Sequence, residues 1–188
     1  MRSFIAIDIP ELLRAALRDV ISRMASDSGG IRWVQPANVH LTLKFLGEVP
    51  DDIVRKIGRR LALIGKIHRP FTVDVRGAGA FPSLRDPNVL WVGLGSSGQL
   101  AALYEDIEGS LAEIGFQRER RRFSPHLTVG RVKGMRGIDP VMKVLATYKE
   151  TFFGTIEVRE ILLMKSTLKP SGAEYSKIVA CKLGEDNP

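Results

Sequence analysis

The sequence predicts an α+β fold built as one unit, and three observations carry that prediction. Segments of strand periodicity alternate with segments of helical periodicity along all 188 residues, and no Gly/Ser-rich linker or low-complexity run divides them. The order strand–helix–strand–helix recurs loosely in the two halves of the chain. At 44% apolar and 26% charged residues, a chain of this length buries a sizeable core, so residues 1–188 are read as a single domain. That composition excludes a disordered, collagen-like or fibrous chain.

The elements follow in order. Ser3–Asp8 is short and apolar-rich and reads as a strand, with Pro10 near the start of a helix. Leu12, Leu13, Ala16, Leu17, Val20, Ile21 and Met24 then recur at three- and four-residue spacing, which makes that helix amphipathic, and Gly29-Gly30 ends it. Val39–Leu46 alternates as a strand does. Pro50-Asp51-Asp52 opens a second helix to about Ile64. Phe71–Val75 and Val89–Leu94 read as strands separated by a Gly/Pro-rich stretch. A third helix puts Leu100, Leu103, Ile107, Leu111 and Ile114 on one face, with Gly115 as its C-cap. Leu127–Val132 is a strand. Asp139 as N-cap and Pro140 at the first helical position start a fourth helix to about Tyr148. Ile156–Met164 and Tyr175–Leu183 are the last strands.

Charge and cysteine content narrow the setting. Cys181 is the only cysteine, which leaves no intrachain disulfide and no thiolate cluster. No apolar run approaches the ~18 residues of a membrane span, and Met1–Asp8 is too short and too soon acidic for a signal peptide. The expectation is a cytoplasmic protein. Of the net charge of +7, most sits between residues 117 and 136, where Arg118, Arg120, Arg121, Arg122, Arg131, Lys133 and Arg136 face only Glu119. A charge run is most often a solvated loop; the sharper reading is a landing surface for a polyanion such as nucleic acid.

Two motifs compete for the chemistry. Gly93-Leu94-Gly95-Ser96-Ser97-Gly98 matches the G-x-G-x-x-G dinucleotide fingerprint. That fingerprint needs a second buried strand after the helix, and Phe116–Arg122 is too charged to be one, so the glycines read as a turn. The histidines are more telling. His40-Leu41-Thr42-Leu43 and His126-Leu127-Thr128-Val129 are near-identical, 86 residues apart, and use two of the three histidines. One such tripeptide is expected by chance; two at matching places in a repeated order are not. On a strand, each His and its Thr share one face and the intervening Leu points to the core. His68, in Ile67-His68-Arg69-Pro70, lacks that context and reads as a surface loop residue.

Paired imidazoles suit phosphoester chemistry, because a group with a pKa near ~6.5 can take or give a proton at neutral pH. Threonine hydroxyls can donate to non-bridging oxygens as charge develops. Neither motif has a carboxylate within three residues, which points to catalysis without metal or other cofactor. The absence of a G-x-x-x-x-G-K-[ST] loop agrees with chemistry independent of ATP.

The fuller runs Asn38–Gly47 and Ser124–Arg131, with Arg2–Ile7 and Arg32-Trp33-Val34, resemble the 2H phosphoesterases, in the branch called RNA 2′,3′-cyclic phosphodiesterase or 2′-5′ RNA ligase (LigT-like). The resemblance spans essentially the whole chain. It implies a bilobal fold in which two pseudo-symmetric antiparallel-type sheets line a central groove, with helices outside. It implies that His40 is the general acid on the leaving O3′ and His126 the general base on water. Thr42 and Thr128 would hold phosphate oxygens, Arg131 would grip the phosphate, and Phe45 would pack against the nucleoside. Gly130, before that arginine, stands where the family often has a small apolar residue. Phe45 lies at an odd offset from His40, so it reaches the groove only if the strand ends or bulges near Lys44. Arg118, Arg120, Arg121 and Arg122 would form the RNA-landing surface.

The implied partner is RNA with 2′,3′-cyclic phosphate ends, tRNA fragments included, with no membrane and no obligate protein partner. The implied reaction is hydrolysis to a 2′-phosphomonoester, with reversible 2′-5′ joining when a 5′-hydroxyl replaces water. Two rivals stand beside it: a phosphodiesterase on 2′-5′ oligonucleotides or small cyclic phosphates, and an RNA-binding module that does not turn over.

Overall fold

In the computed structural model, residues 1–25, 29–170 and 172–184 are described. The strands are β1 (Arg2–Ile7), β2 (Ile31–Trp33), β3 (Leu41–Glu48), β4 (Phe71–Pro82), β5 (Pro87–Leu94), β6 (His126–Val132), β7 (Phe152–Val158), β8 (Glu160–Lys169) and β9 (Gly172–Lys182). The helices are α1 (Glu11–Ala25), α2 (Asp51–Ile67), α3 (Gly98–Ala112) and α4 (Ile138–Thr147).

Every strand pairing is antiparallel, and the spatial order is β7-β4-β5-β6-β3-β1-β8-β9, with β2 added against β6. The middle of this path is narrow. Strands β3 and β6 are bridged only at Leu41 and Leu127, so the sheet divides there into two leaves. Outward from the seam, one leaf runs β3, β1, β8, β9 and the other β6, β5, β4, β7. The two expected sheets are thus one sheet pinched at a single residue pair.

The leaves do not coincide with the halves of the chain. Strand β4 follows α2 in the first half but pairs with β5, while β8 comes from the second half and pairs with β1. Helices cross over in the same way. Helix α1 packs beside α4 and against β7, and α3 packs beside α2, which covers β8 and β9. Leu13 and Leu17 of α1, Ile57 and Leu61 of α2, Leu103 and Ile107 of α3 and Leu145 of α4 share one buried cluster with Leu41, Leu127 and Val129. The helices therefore cover the sheet face that carries the motif leucines. The opposite face is left open.

Some boundaries differ from the sequence reading. The expected strand Ile156–Met164 is two strands, β7 and β8, parted at Arg159, because β7 serves one leaf and β8 the other. Strand β4 continues to Pro82, so the Gly/Pro-rich stretch is largely ladder. Helix α4 begins at Ile138 with Gly137 as N-cap at φ 72°, so Asp139 and Pro140 lie in its first turn. Proline is tolerated there because a first-turn N–H has no helical acceptor. The three-residue β2 and the 3₁₀ turn Pro36–Asn38 carried no periodic signal. The Gly93–Gly98 run is the β5–α3 turn, and the Ser97 hydroxyl caps α3 by accepting the Leu100 N–H at 3.1 Å.

Candidate active site

The seam places both motifs together. Leu41 and Leu127 are fully buried and face each other. Continuing that antiparallel register one residue either way sets His40 across from Thr128 and His126 across from Thr42, all on the open face. Neither threonine hydroxyl makes a hydrogen bond to another described residue, so both are free for a ligand.

Both imidazoles are fixed by the same local device. His40 Nδ1 lies 2.8 Å from the Asn38 carbonyl and His126 Nδ1 lies 2.7 Å from the Ser124 carbonyl, two residues upstream in each case. A carbonyl only accepts, so Nδ1 carries the proton in both rings and Nε2 is left as the nitrogen with a free lone pair.

A bulge repeated in the two motif strands brings in two further side chains. Between Ile5 and Ala6 of β1 the register on β3 jumps from Lys44 to Thr42, leaving Leu43 extra. Between Leu90 and Trp91 of β5 the register on β6 jumps from Gly130 to Thr128, leaving Val129 extra. Each bulge falls three residues after its histidine and reverses the alternation beyond it. Lys44 and Gly130 consequently turn inward, and Phe45 and Arg131 turn to the open face. Phe45 is 69% exposed and lies 6.2 Å, centroid to centroid, from Phe4, whose ring stacks on His40. The Arg131 guanidinium forms no ion pair or hydrogen bond with another described residue.

The surroundings of the two histidines differ. His40 stacks on Phe4 at 4.8 Å and meets Tyr175 of β9 edge-on at 5.1 Å. Burial lowers its pKa from the ordinary 6.5, against the smaller opposing pulls of the Asn38 carbonyl and Asp8. The turn that leads into it is clamped: the Arg14 guanidinium donates to the carbonyls of Pro36, Ala37 and Val39 at 3.3, 3.3 and 3.0 Å and also pairs with Asp8. The Asn38 amide donates to the Ala173 carbonyl of β9 at 2.9 Å. His126 has Phe81 edge-on at 5.0 Å, and Phe81 leans on Trp91 at 5.2 Å. Trp91 lies flat over Gly79, where any Cβ would come within 2.5 Å of the indole, so only glycine fits there.

Arg118, Arg120, Arg121 and Arg122 lie in the segment that delivers the chain to His126, and with Pro125 and the start of α3 they border a cleft. Arg118 is engaged by Glu105 at 3.7 Å, whereas Arg120, Arg121 and Arg122 form no ion pair among the described residues. His68 lies in the loop that follows α2, with its side chain 13% exposed; its Nε2 is 2.7 Å from Asp106, so it also ties the end of α2 to α3. Among the described residues, no three His, Cys, Asp or Glu side chains converge as metal ligands would, and no helix is long and apolar enough to cross a membrane.

Sequence reasoning did not single out Phe4, Tyr175, Phe81 or Arg14. Phe4 sits inside the Arg2–Ile7 run already noted; the β1–β3 register sets it opposite Phe45, and its stacking on His40 is a ring contact that no strand periodicity displays. The other three come from strands or helices whose neighbours only the strand exchange defines.

Comparison with known proteins agrees with this geometry. The profile of the LigT-like phosphoesterases matches twice, at residues 7–91 and 92–175, one match for each His-x-Thr motif. The RNA 2′,3′-cyclic phosphodiesterase of Archaeoglobus fulgidus is 35% identical over 178 residues, covering 95% of this chain and 98% of its own. The protein of the same name from Thermotoga maritima is 34% identical over 184 residues, covering 97% of this chain and 95% of its own. Among solved structures, a Thermus thermophilus protein superposes with a TM-score of 0.84 at 27% identity over 100% of both chains. Escherichia coli LigT complexed with 3′-AMP superposes at 0.78 with 25% identity over 98% of both. With two motif strands meeting at one seam and a match to each half, the chain belongs to the LigT-like phosphoesterase family.

Proposed function

We propose that this protein is an RNA 2′,3′-cyclic phosphodiesterase that opens the cyclic phosphate to leave a 2′-phosphomonoester. The observation that carries the reading is the pair of imidazoles on one open face, each with Nδ1 tied to the carbonyl two residues upstream and Nε2 free, each across from the other's threonine. The names of the relatives point the same way.

In the proposed reaction a water oxygen attacks phosphorus and its proton passes to His126 Nε2. The P–O3′ bond breaks, and His40 Nε2 returns a proton to O3′. Thr42 and Thr128 donate to the non-bridging oxygens, and Arg131 supplies a planar pair of donors as negative charge builds. Phe45 offers an exposed ring for the nucleoside. A 5′-hydroxyl in place of water gives a 2′-5′ linkage by the same proton movements. The unpaired Arg120, Arg121 and Arg122 make RNA, tRNA fragments among it, the polyanion to which this surface is suited.

One observation favours the reverse division of labour. Burial holds His40 toward its neutral form, the form a base needs, so a general acid there depends on the bound phosphate to restore the proton. An aryl phosphodiester with a nitrophenolate leaving group needs no acid. Replacing the acid histidine is therefore tolerated on that substrate and replacing the base is not.

The test of the main reading is the product. Incubation with a 2′,3′-cyclic mononucleotide is expected to give the 2′-phosphate. Formation of the 3′-phosphate means that O2′ leaves and the assignment of sides is wrong; no hydrolysis at all removes the reading.

A further inference from the structure

Residues 117–125 have no regular secondary structure, yet one face of α3 holds both ends of the segment. Glu108 is 3% exposed. Its two carboxylate oxygens take the Lys44 ammonium at 2.7 and 2.8 Å, and it also accepts the Glu119 N–H at 2.8 Å. The remaining donor of Lys44 goes to the Gln117 carbonyl at 2.8 Å. One helical turn away, Tyr104 stacks face to face on Phe123, with centroids 3.9 Å apart and planes 8° apart. Arg120, Arg121 and Arg122 are exposed between the two anchors, and Ser124, whose carbonyl orients His126, follows directly.

A buried ion pair is a poor device for stability alone, since an apolar pair of similar volume is often as stable. This pair does something an apolar pair cannot: it satisfies a carbonyl and an N–H of a loop that has no ladder of its own. Lys44 also stands on the strand of the other histidine, four residues past His40, and the β3 bulge is what turns it inward. The polar tie therefore runs from the strand of one motif to the strap that delivers the other.

We propose that Lys44 and Glu108 are a positioning pair for the reaction, fixing the 117–125 strap and, through Ser124, the ring of His126. The proposal rests on reading His126 as a reacting group, but two of its three readouts do not. The decisive variant is Lys44→Met/Glu108→Leu, which leaves no lone buried charge. Its melting temperature is expected to stay close to that of the parent. Trypsin, which cuts after arginine, is expected to cleave the strap at Arg118–Arg122 at least about tenfold faster, and kcat on a 2′,3′-cyclic mononucleotide to fall about tenfold with little change in KM. A lower melting temperature with strap resistance and kcat unchanged overturns the proposal, because the pair then only supports the fold. Should the double variant not fold, hydrogen exchange in the parent protein decides: the Glu119 N–H is expected to be protected well beyond that of Arg122, and equal exchange overturns the tie. If the parent itself leaves the cyclic mononucleotide untouched, the proposed function fails while the trypsin and exchange measurements still judge the pair.

Discussion

The two motif strands share a sequence pattern, a bulge three residues past the histidine and an Nδ1–carbonyl tether, but their supports differ in kind. His40 is approached by a 3₁₀ turn locked by three donor bonds from Arg14 and packs in a three-ring cluster, stacked on Phe4 and edge-on to Tyr175. His126 is approached by an irregular strap tied down at its ends and, among the described residues, meets the single aromatic ring of Phe81. The repeated motif thus keeps the geometry of its imidazole while the solvation of the two rings diverges. One leaf holds a ring away from water; the other presents its ring beside an arginine-lined cleft.

The largest effects test whether both rings matter. His40→Ala and His126→Ala are each expected to lose at least about 10²–10⁴-fold in kcat on a cyclic mononucleotide while staying folded. His68→Ala is expected to keep activity and lose only the Asp106 tie. A harmless His40→Ala breaks the comparison at its root.

Next come the two arginine sets. Arg131→Ala is expected to damage the mononucleotide reaction severely, and Arg131→Lys to recover only part, since a point charge replaces a fork. Replacing Arg120, Arg121 and Arg122 together is expected to spare the mononucleotide and weaken binding of long RNA. It should also flatten the log–log salt dependence by roughly 0.7 per lost contact. Equal damage from both in side-by-side mononucleotide kinetics would merge the strap with the reacting site.

A smaller effect sharpens the contrast in supports. Arg14→Ala releases the carbonyls of Pro36, Ala37 and Val39, and kcat is expected to drop about tenfold through a displaced His40, with KM nearly constant. A change in KM alone would mean that the clamp shapes the binding surface and not the ring.

The smallest effect is a pH signature. His40 titrates below 6.5 in the folded chain, so unfolding takes up a proton in the window beneath that value. Its contribution to stability is complete above 6.5 and is lost as pH falls toward the folded value. Denaturant titrations at pH 7.5 and pH 5.5 are expected to show this loss in the parent and less of it in His40→Gln. An identical loss in both assigns it to other groups.

Much of this arrangement was legible in the chain itself. Repetition revealed the histidines and threonines, and strand alternation put each pair on one face. Phe45 and Arg131 were harder, because five residues is an odd step and only a bulge brings such a residue round. A bulge is a property of two strands in register, which no single strand displays. Arg14, Tyr175 and Phe81 stayed hidden for a related reason. Their neighbours are set by which strand sits beside which, and β7 and β8 could not be told apart before the chain was seen to change leaves at Arg159.

The exchange of β4 and β8 between the leaves bears on how such a chain could have arisen and how it can be cut. A half-length chain ending after β4 has nowhere within itself to place that last strand. It could complete a leaf only by lending the strand to a second copy and borrowing one in return. The present molecule has in that sense the topology of a strand-swapped pair written into one polypeptide, and the Ser83–Asp86 turn is the point at which its two halves join.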